Sequence, residues 1–456
     1  MNHESTRVLT PEAQHHRMLE TSMPKLIASL AVPTVAMQLV SVLYNTVDTY
    51  FVSQISTSAS AAVGVAFSLQ SLIQAVGGGF GMGAGSLISR RLGEKKNDEA
   101  DLYCVSALAG TLVFSLLLMI FGLLFLEPLM LLLGSTESML PHACAYARFV
   151  LLAAPVHCCA FVLNNTLRSE GEANYSMYGM CSGTLLNVAL DPLLIFGLDM
   201  GTAGAALATA LSQLVSFVVL LIPFLRGRSI VRLRLSRISR SPKDYLLILT
   251  TGLPTIFRQG LASVASATLN VTAAAFGSDA AVAAITISNK VYLLVRNVVL
   301  GIGQAFQPVA GYNYGAKNYP RTKKAFWVAT AMGSCVCCAA ALLTAVFARP
   351  IISWFRDDAE VIAIGAQALR FAACVMPFMG FSTFVNQMYQ CLGYKTAATF
   401  LASCRQGIFF LPIIWLLPTV MKLGLLGVEL AQPLSDLLTF LISAPFLVVF
   451  FRKHLS

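Results

Sequence analysis

The sequence predicts an all-α integral membrane protein: twelve transmembrane helices in two six-helix bundles, related by a parallel internal repeat. Three observations carry that reading. Apolar residues make up 57% of the chain and charged residues only 11%, where soluble domains hold roughly a quarter charged. The apolar residues gather in runs near the ~20 residues that cross a hydrocarbon core. The second half also repeats polar landmarks of the first at a fixed spacing.

In chain order, residues 1–23 form a polar tail without the basic-then-apolar pattern of a cleavable signal. A first lobe, 24–225, holds apolar runs near 26–52, 59–82, 102–126, 143–167, 176–197 and 203–225. A basic linker, 226–243, leads to a second lobe, 244–451, with runs near 245–276, 280–307, 326–347, 360–387, 396–420 and 425–451. A short tail, 452–456, ends the chain. Helices are required, because an open sheet leaves backbone groups unpaired in lipid. Pro33 and Pro254 fall inside the first run of each half and are expected to kink it.

Loop charge tests the count. With the N-terminus cytoplasmic, 23 of the 31 Lys and Arg fall on the cytoplasmic tails and loops, among them Arg168 and Arg405. Only Arg349, Arg356 and Lys422 fall on the other side. Both termini are therefore expected inside, in a bacterial inner membrane. The formal charge of +10 is read as contact with anionic lipid rather than with nucleic acid, because the basic residues sit in short inter-span loops. The linker is read as a solvated stretch of the same kind.

At an offset of 222 residues Gly79, Gly81, Gly93, Lys95, Pro155, Asn164 and Gly171 meet Gly301, Gly303, Gly315, Lys317, Pro377, Asn386 and Gly393. The Pro33-Thr34 pair answers Pro254-Thr255 one residue earlier. Six spans per half put both halves in the same orientation, about an axis normal to the membrane, as in transporters that rock around a central site.

Ionisable residues inside a bilayer are costly and tend to be functional. The first half offers Asp48 and Asp191. Asn187 lies four residues before Asp191, on the same helix face, and Pro192 weakens that helix directly after it. Asn164 and Thr209 are further polar candidates for the same interior. Such an oxygen cluster suits a hard cation such as Na⁺, and a carboxylate out of water can instead hold a proton. The second half lacks these acids and offers Arg258, Lys290, Arg296 and Asn386 for a substrate cavity, with Glu429 and Asp436 in the last span. Structural pairing among them is the competing reading. His157 is read as a satisfied core histidine.

Other patterns exclude function classes. The stretch "GGGFGMGAG" (77–85) follows no strand and is read as small residues that let helices approach. No Walker A pattern occurs, so nucleotide is not expected as the energy source. The eleven cysteines lie mostly inside apolar runs without metal-site spacing and are read as buried free thiols. Asp357-Asp358 has no second acidic motif to face, which argues against an enzyme, and two unequal halves offer no symmetric pore.

Together these segments resemble the multidrug and toxic compound extrusion (MATE) family, from about residue 20 to 450. The resemblance rests on "VPT" and "VDTYFV" in the first run, "RRLGEKK" after the second, and "NNTLRSEG" after the fourth. It rests further on "NVALDPLLIFG" in the fifth and "GQAFQPVAGYNYGAKN" after the eighth. Within the family the sequence is similar to the bacterial DinF-like and MepA-like branch. The resemblance implies that Asp48, Asn187, Asp191 and Thr209 match a first-lobe cation site, with Asn164 nearby. The seventh-span acid of the NorM-like branch falls near Arg258 or Gln259 here, so a second sodium site is not expected. The implied protein antiports cationic or amphipathic organic molecules against H⁺ or Na⁺ by alternating access, without a cofactor, and is expected to be a monomer. Transfer of a lipid-linked precursor across the membrane is the alternative.

Overall fold

A computed structural model describes residues 10–454 of the chain. Among them every regular element is helical. The first lobe comprises α1 (Pro11–Glu20), α2 (Met23–Ser53), α3 (Thr57–Gly93), α4 (Asn97–Leu124), α5 (Leu126–Leu132), α6 (Leu140–Ser169), α7 (Ala173–Pro192) and α8 (Gly201–Leu225). The second comprises α9 (Pro242–Phe276), α10 (Asp279–Gly315), α11 (Tyr319–Val346), α12 (Ala348–Phe355), α13 (Ala359–Cys391), α14 (Lys395–Ser403), α15 (Phe410–Trp415) and α16 (Leu425–His454).

Eleven helical stretches among the described residues are long and apolar enough to cross a membrane. The twelfth, α9, is long enough at 35 residues. Arg258, Gln259 and a series of Thr and Ser residues dilute its hydropathy. α3 and α10 each run 37 residues, well past the expected 59–82 and 280–307, and the last turn of α3 carries the Arg90-Arg91 pair.

The duplication is written into the backbone. Lys95 and Lys317, 222 apart, both take positive φ (62° and 58°), as do Gly171 and Gly393. The short helices α5 and α12, unforeseen in the sequence, begin 222 residues apart. Farther on the offset becomes 223, with positive φ at Asp199 and Lys422 and at Gly201 and Gly424. A π-helical segment, Cys404–Phe409, accounts for the extra residue, since a π-bulge inserts one residue into a helix.

The lobes meet at the end of the bundle that holds both chain ends. There His15 of α1 hydrogen-bonds Tyr312 at 3.1 Å, and the His454 ring packs on Tyr394. Glycines make the seam. A Cβ on Gly93 would stand 2.1 Å from the Tyr312 carbonyl oxygen, and one on Gly315 2.1 Å from that of Arg90. Residues 90 and 312 are themselves 222 apart, so the two contacts are one contact repeated about the pseudo-twofold axis. In "GGGFGMGAG", Gly79 and Gly83 face Gly252, Ile256 and Ile248 of α9, while Gly77, Gly81 and Gly85 face α6. Two i, i+4 ladders on one helix thus serve two neighbours, as the small-residue reading expects.

The tail adds a helix to the expected elements, and two expectations need correction. The N-terminal tail contains α1, whose Gln14 and Met18 are buried; residues 1–9 lie outside the described part. The linker is docked, not free: Glu170 accepts hydrogen bonds from Ser229 Oγ (2.7 Å), Ile230 N (2.9 Å) and Val231 N (3.2 Å), and Asp101 from Arg232 N (2.8 Å). Its backbone is pinned while Arg226, Arg232, Arg234, Arg240 and Lys243 stay exposed. Finally, Arg168 and Arg405 are not loop charges, because both lie within helical segments and are largely enclosed.

Candidate functional site

The first-lobe cluster forms where α2, α6, α7 and α8 pack together. One-turn spacing puts Tyr44 and Asp48 on one face of α2, and Asn187 and Asp191 on one face of α7. Asp48 and Asp191 are wholly buried (0% exposure), and Asn187, Thr209 and Asn164 nearly so. Asn187 Nδ2 donates to Thr209 Oγ1 at 3.3 Å, and Thr209 donates to the Ala205 carbonyl at 3.1 Å. The Tyr44 hydroxyl lies 3.4 Å from Thr209 Oγ1. Among the described residues, no carboxylate oxygen of Asp48 or Asp191 has a hydrogen-bond partner, nor has Asn187 Oδ1.

Unpaired buried carboxylates are expensive, and each must either carry a proton or meet a cation. The oxygens left free belong to two carboxylates and an amide, with a hydroxyl beside them, a donor set that fits Na⁺ as well as H⁺. The local backbone is irregular at this point: after Pro192 the chain continues as a π-helical segment, Leu193–Gly197. Tyr146 of α6 also comes within electrostatic reach of Asp48. Neither Tyr44 nor Tyr146 was legible from sequence, since a tyrosine in an apolar run reads as packing.

The duplicated positions in the second lobe have become apolar. By the 221-residue offset of the prolines, Asp48 corresponds to Leu269. By the 223-residue offset after the π insertion, Asn187 and Asp191 correspond to Phe410 and Ile414. Leu269, Phe410 and Ile414 belong to one buried hydrophobic cluster.

Between the lobes lies a cavity of about 400 Å³. Met37, Tyr44, Asn164, Asn187 and Thr209 form part of its first-lobe wall, and Arg258, Gln259 and Arg296 part of its second-lobe wall. Asp48 and Asp191 are not in that wall and sit behind it. The cavity begins where the glycine seam ends, at Gly78, Thr255 and Leu300. The cleft continues between Phe67 and Ser71 on one lobe and Ala262 and Ser266 on the other, a further space of about 350 Å³. His157 lines the main cavity with Nε2 unpartnered, so it is not the satisfied core histidine expected. Arg168 lines it too, held by Gln304 and Asn165.

The second-lobe candidates divide. Arg258 and Arg296 face the cavity. Lys290 is exposed and lines none of the described cavities, because its position on α10 turns it off the lobe interface. Asn386 lines a smaller adjoining space but spends its amide on the Ala398 carbonyl at 2.7 Å. Asp436 pairs with Arg405 (2.6 Å), and also accepts from Gln432 Nε2 (3.1 Å) and the Tyr292 hydroxyl. Its partner is therefore none of the candidates named from the sequence. Glu429 is buried, with one carboxylate oxygen lacking a partner. Pro33 and Pro254 lie inside the unbroken helices α2 and α9. Thr34, beside the first, donates to the Gly301 carbonyl across the lobe interface at 2.8 Å.

Known proteins share this architecture. A family model described as MatE matches residues 33–193 and again 254–416, one match per lobe. A multidrug export protein MepA of Staphylococcus saprophyticus is 25% identical, over 96% of each chain. Its counterpart in Staphylococcus aureus is 26% identical, over 96% of this chain and 94% of its own. A solved outward-facing conformation of a multidrug resistance MATE family transporter superposes with a TM-score of 0.89 at 28% identity, covering 95% of this chain and 97% of the other.

Proposed function

This chain belongs to the MatE family of membrane transporters, and from that premise we propose that it is a secondary active exporter of small amphipathic organic molecules, driven by H⁺ or Na⁺ bound at Asp48 and Asp191. The observation that carries the proposal is the pair of buried, unpartnered carboxylates directly behind the cavity wall. Asn187 and Thr209 belong both to the cluster and to that wall. A cation or proton arriving at the carboxylates therefore reshapes the cavity surface through residues the substrate touches. Coupling needs only that the two lobe arrangements differ in affinity for each ligand.

In this reading the glycine seam closes one end, and the cleft opens toward the other. With the termini and the basic loops cytoplasmic in a bacterial inner membrane, the open end faces outward. Transport then requires the seam to part, with α2 and α9 bending at Pro33 and Pro254, whose missing N–H groups weaken those helices locally. The protein needs no cofactor.

The test is efflux of an organic dye from proteoliposomes under a pH gradient and, separately, under a Na⁺ gradient. Wild type exports under one of them and so identifies the ion, and Asp48→Asn inserts normally but does not export. Export by Asp48→Asn at the wild-type rate removes the carboxylates from the mechanism.

A further inference from the structure

We propose that the cavity selects organic anions, with Arg258 and Arg296 holding the acidic group of the substrate. The inference rests on the export reading above and adds the charge of what is carried.

Arginines supply the charge of the cavity wall. Arg168, Arg258 and Arg296 line it, and no Asp or Glu does, among the described residues. Arg168 already donates from its two terminal nitrogens to Gln304 and Asn165, with Nε alone lacking a partner. Arg258 and Arg296 stand differently. Neither has a hydrogen bond or ion pair among the described residues, and they are close enough to repel one another. The acid within electrostatic reach of Arg296, Asp436, shares the small adjoining space with them. It is already held by Arg405, Gln432 and Tyr292. That network leaves two guanidinium groups undercompensated at membrane depth.

Free guanidinium groups in such a place are costly unless a counter-charge arrives. A cationic guest would add a third like charge. A carboxylate, sulfonate or phosphate would relieve the repulsion and could be gripped by paired N–H donors, the geometry at which arginine is best. The rest of the wall suits an amphipathic body, with Met37, Phe161 and Leu300 set among uncharged polar side chains such as Gln38, Gln74 and Asn297. At about 400 Å³ the cavity falls in the range of small-molecule sites.

The repeat shows that this charge belongs to one lobe alone. At the internal offsets Arg258 corresponds to Met37 and Arg296 to Gln74, and both of those line the opposite wall of the same cavity. Apart from Arg168, which is held by Gln304 and Asn165, and His157, the first lobe thus presents uncharged side chains with its two carboxylates hidden behind them, and the other lobe presents a bare cationic pair. The arrangement separates an anion site from a cation site, so substrate and coupling ion need not compete for one position.

The probes are two xanthene dyes of like shape and opposite charge, fluorescein and rhodamine 6G. Their binding to the full-length protein in phosphatidylcholine nanodiscs is read by fluorescence anisotropy, without any gradient. Fluorescein is expected to bind wild type more tightly than rhodamine 6G, and more weakly as salt rises. Each of Arg258→Gln and Arg296→Gln is expected to weaken it about tenfold or more, the size of a lost charge-assisted bond. Arg258→Lys and Arg296→Lys, which keep the charge, are expected to recover part of that loss. This recovery separates charge recognition from misfolding. Replacing phosphatidylcholine by phosphatidylglycerol distinguishes the source of the anion: arginine-dependent displacement of fluorescein identifies a lipid headgroup, and no displacement identifies a soluble anion. Binding is read without a gradient and export under one, so the two readings fail separately: wild type that binds fluorescein through the two arginines but exports it under neither gradient overturns export and leaves the anion site standing. Tighter binding of rhodamine 6G, or fluorescein binding indifferent to both arginine-to-glutamine changes, overturns the proposal.

Discussion

Replacing Gly93 by alanine tests whether the glycine seam is the gate. The added Cβ would stand 2.1 Å from the Tyr312 carbonyl oxygen and 2.9 Å from its carbon. An ordinary contact of that kind needs about 3.4 Å, so α3 and α10 must separate by more than about 1 Å. Neither side can yield by a rotamer change, because the clash is with backbone. Forcing a methyl into such packing costs about 1–3 kcal/mol. If the seam parts during transport, that cost falls on the closed arrangement alone and shifts the equilibrium about 5- to 150-fold toward the parted one. Hydrogen–deuterium exchange of peptides spanning 86–96 and 308–318, in nanodiscs, reads the shift directly. Exchange should rise in both peptides, and efflux should slow because the closed state is under-populated. Gly315→Ala, the same contact repeated by the duplication, should behave alike. Wild-type exchange and efflux in both variants would refute the seam as a gate.

Two further predictions concern stability. Arg405→Ala strands the buried Asp436 carboxylate and should cost about 3 kcal/mol, seen as a melting temperature several degrees lower. Adding Asp436→Asn should restore most of the loss, and no loss in the single variant would show that the pair is not structural. At the docked linker, burial pushes Glu170 up from 4.5 to about 8, against the opposing pull of its hydrogen bonds from Ser229, Ile230 and Val231. A raised carboxyl favours the folded state at low pH, so stability should fall as pH rises from about 4.5 to about 8 and level off above. Glu170→Gln should flatten that part of the melting profile, and an unchanged slope would place the titration elsewhere.

The sequence by itself determined the features that periodicity, composition and duplication encode. Hydrocarbon thickness sets the span length, so the runs can be counted. Loop charge gives them an expected orientation, and fixed offsets expose two lobes. Asp48 and Asp191 stand out because an acid in an apolar run is costly wherever it points, and one-turn spacing brings Asn187 to the second of them. Only the tertiary structure decided which face of each helix meets which neighbour. Arg405, placed in a loop from the sequence, lies in a π-helical insertion and takes Asp436, while Lys290, six residues before Arg296, is exposed. Whether Arg258 and Arg296 are paired or free depends on where Asp436 is already committed, and that commitment joins helical segments far apart in the chain. Helical period assigns a residue to a face of its own helix. The charge of a cavity between two bundles is set by how the bundles pack, and no single helix encodes it.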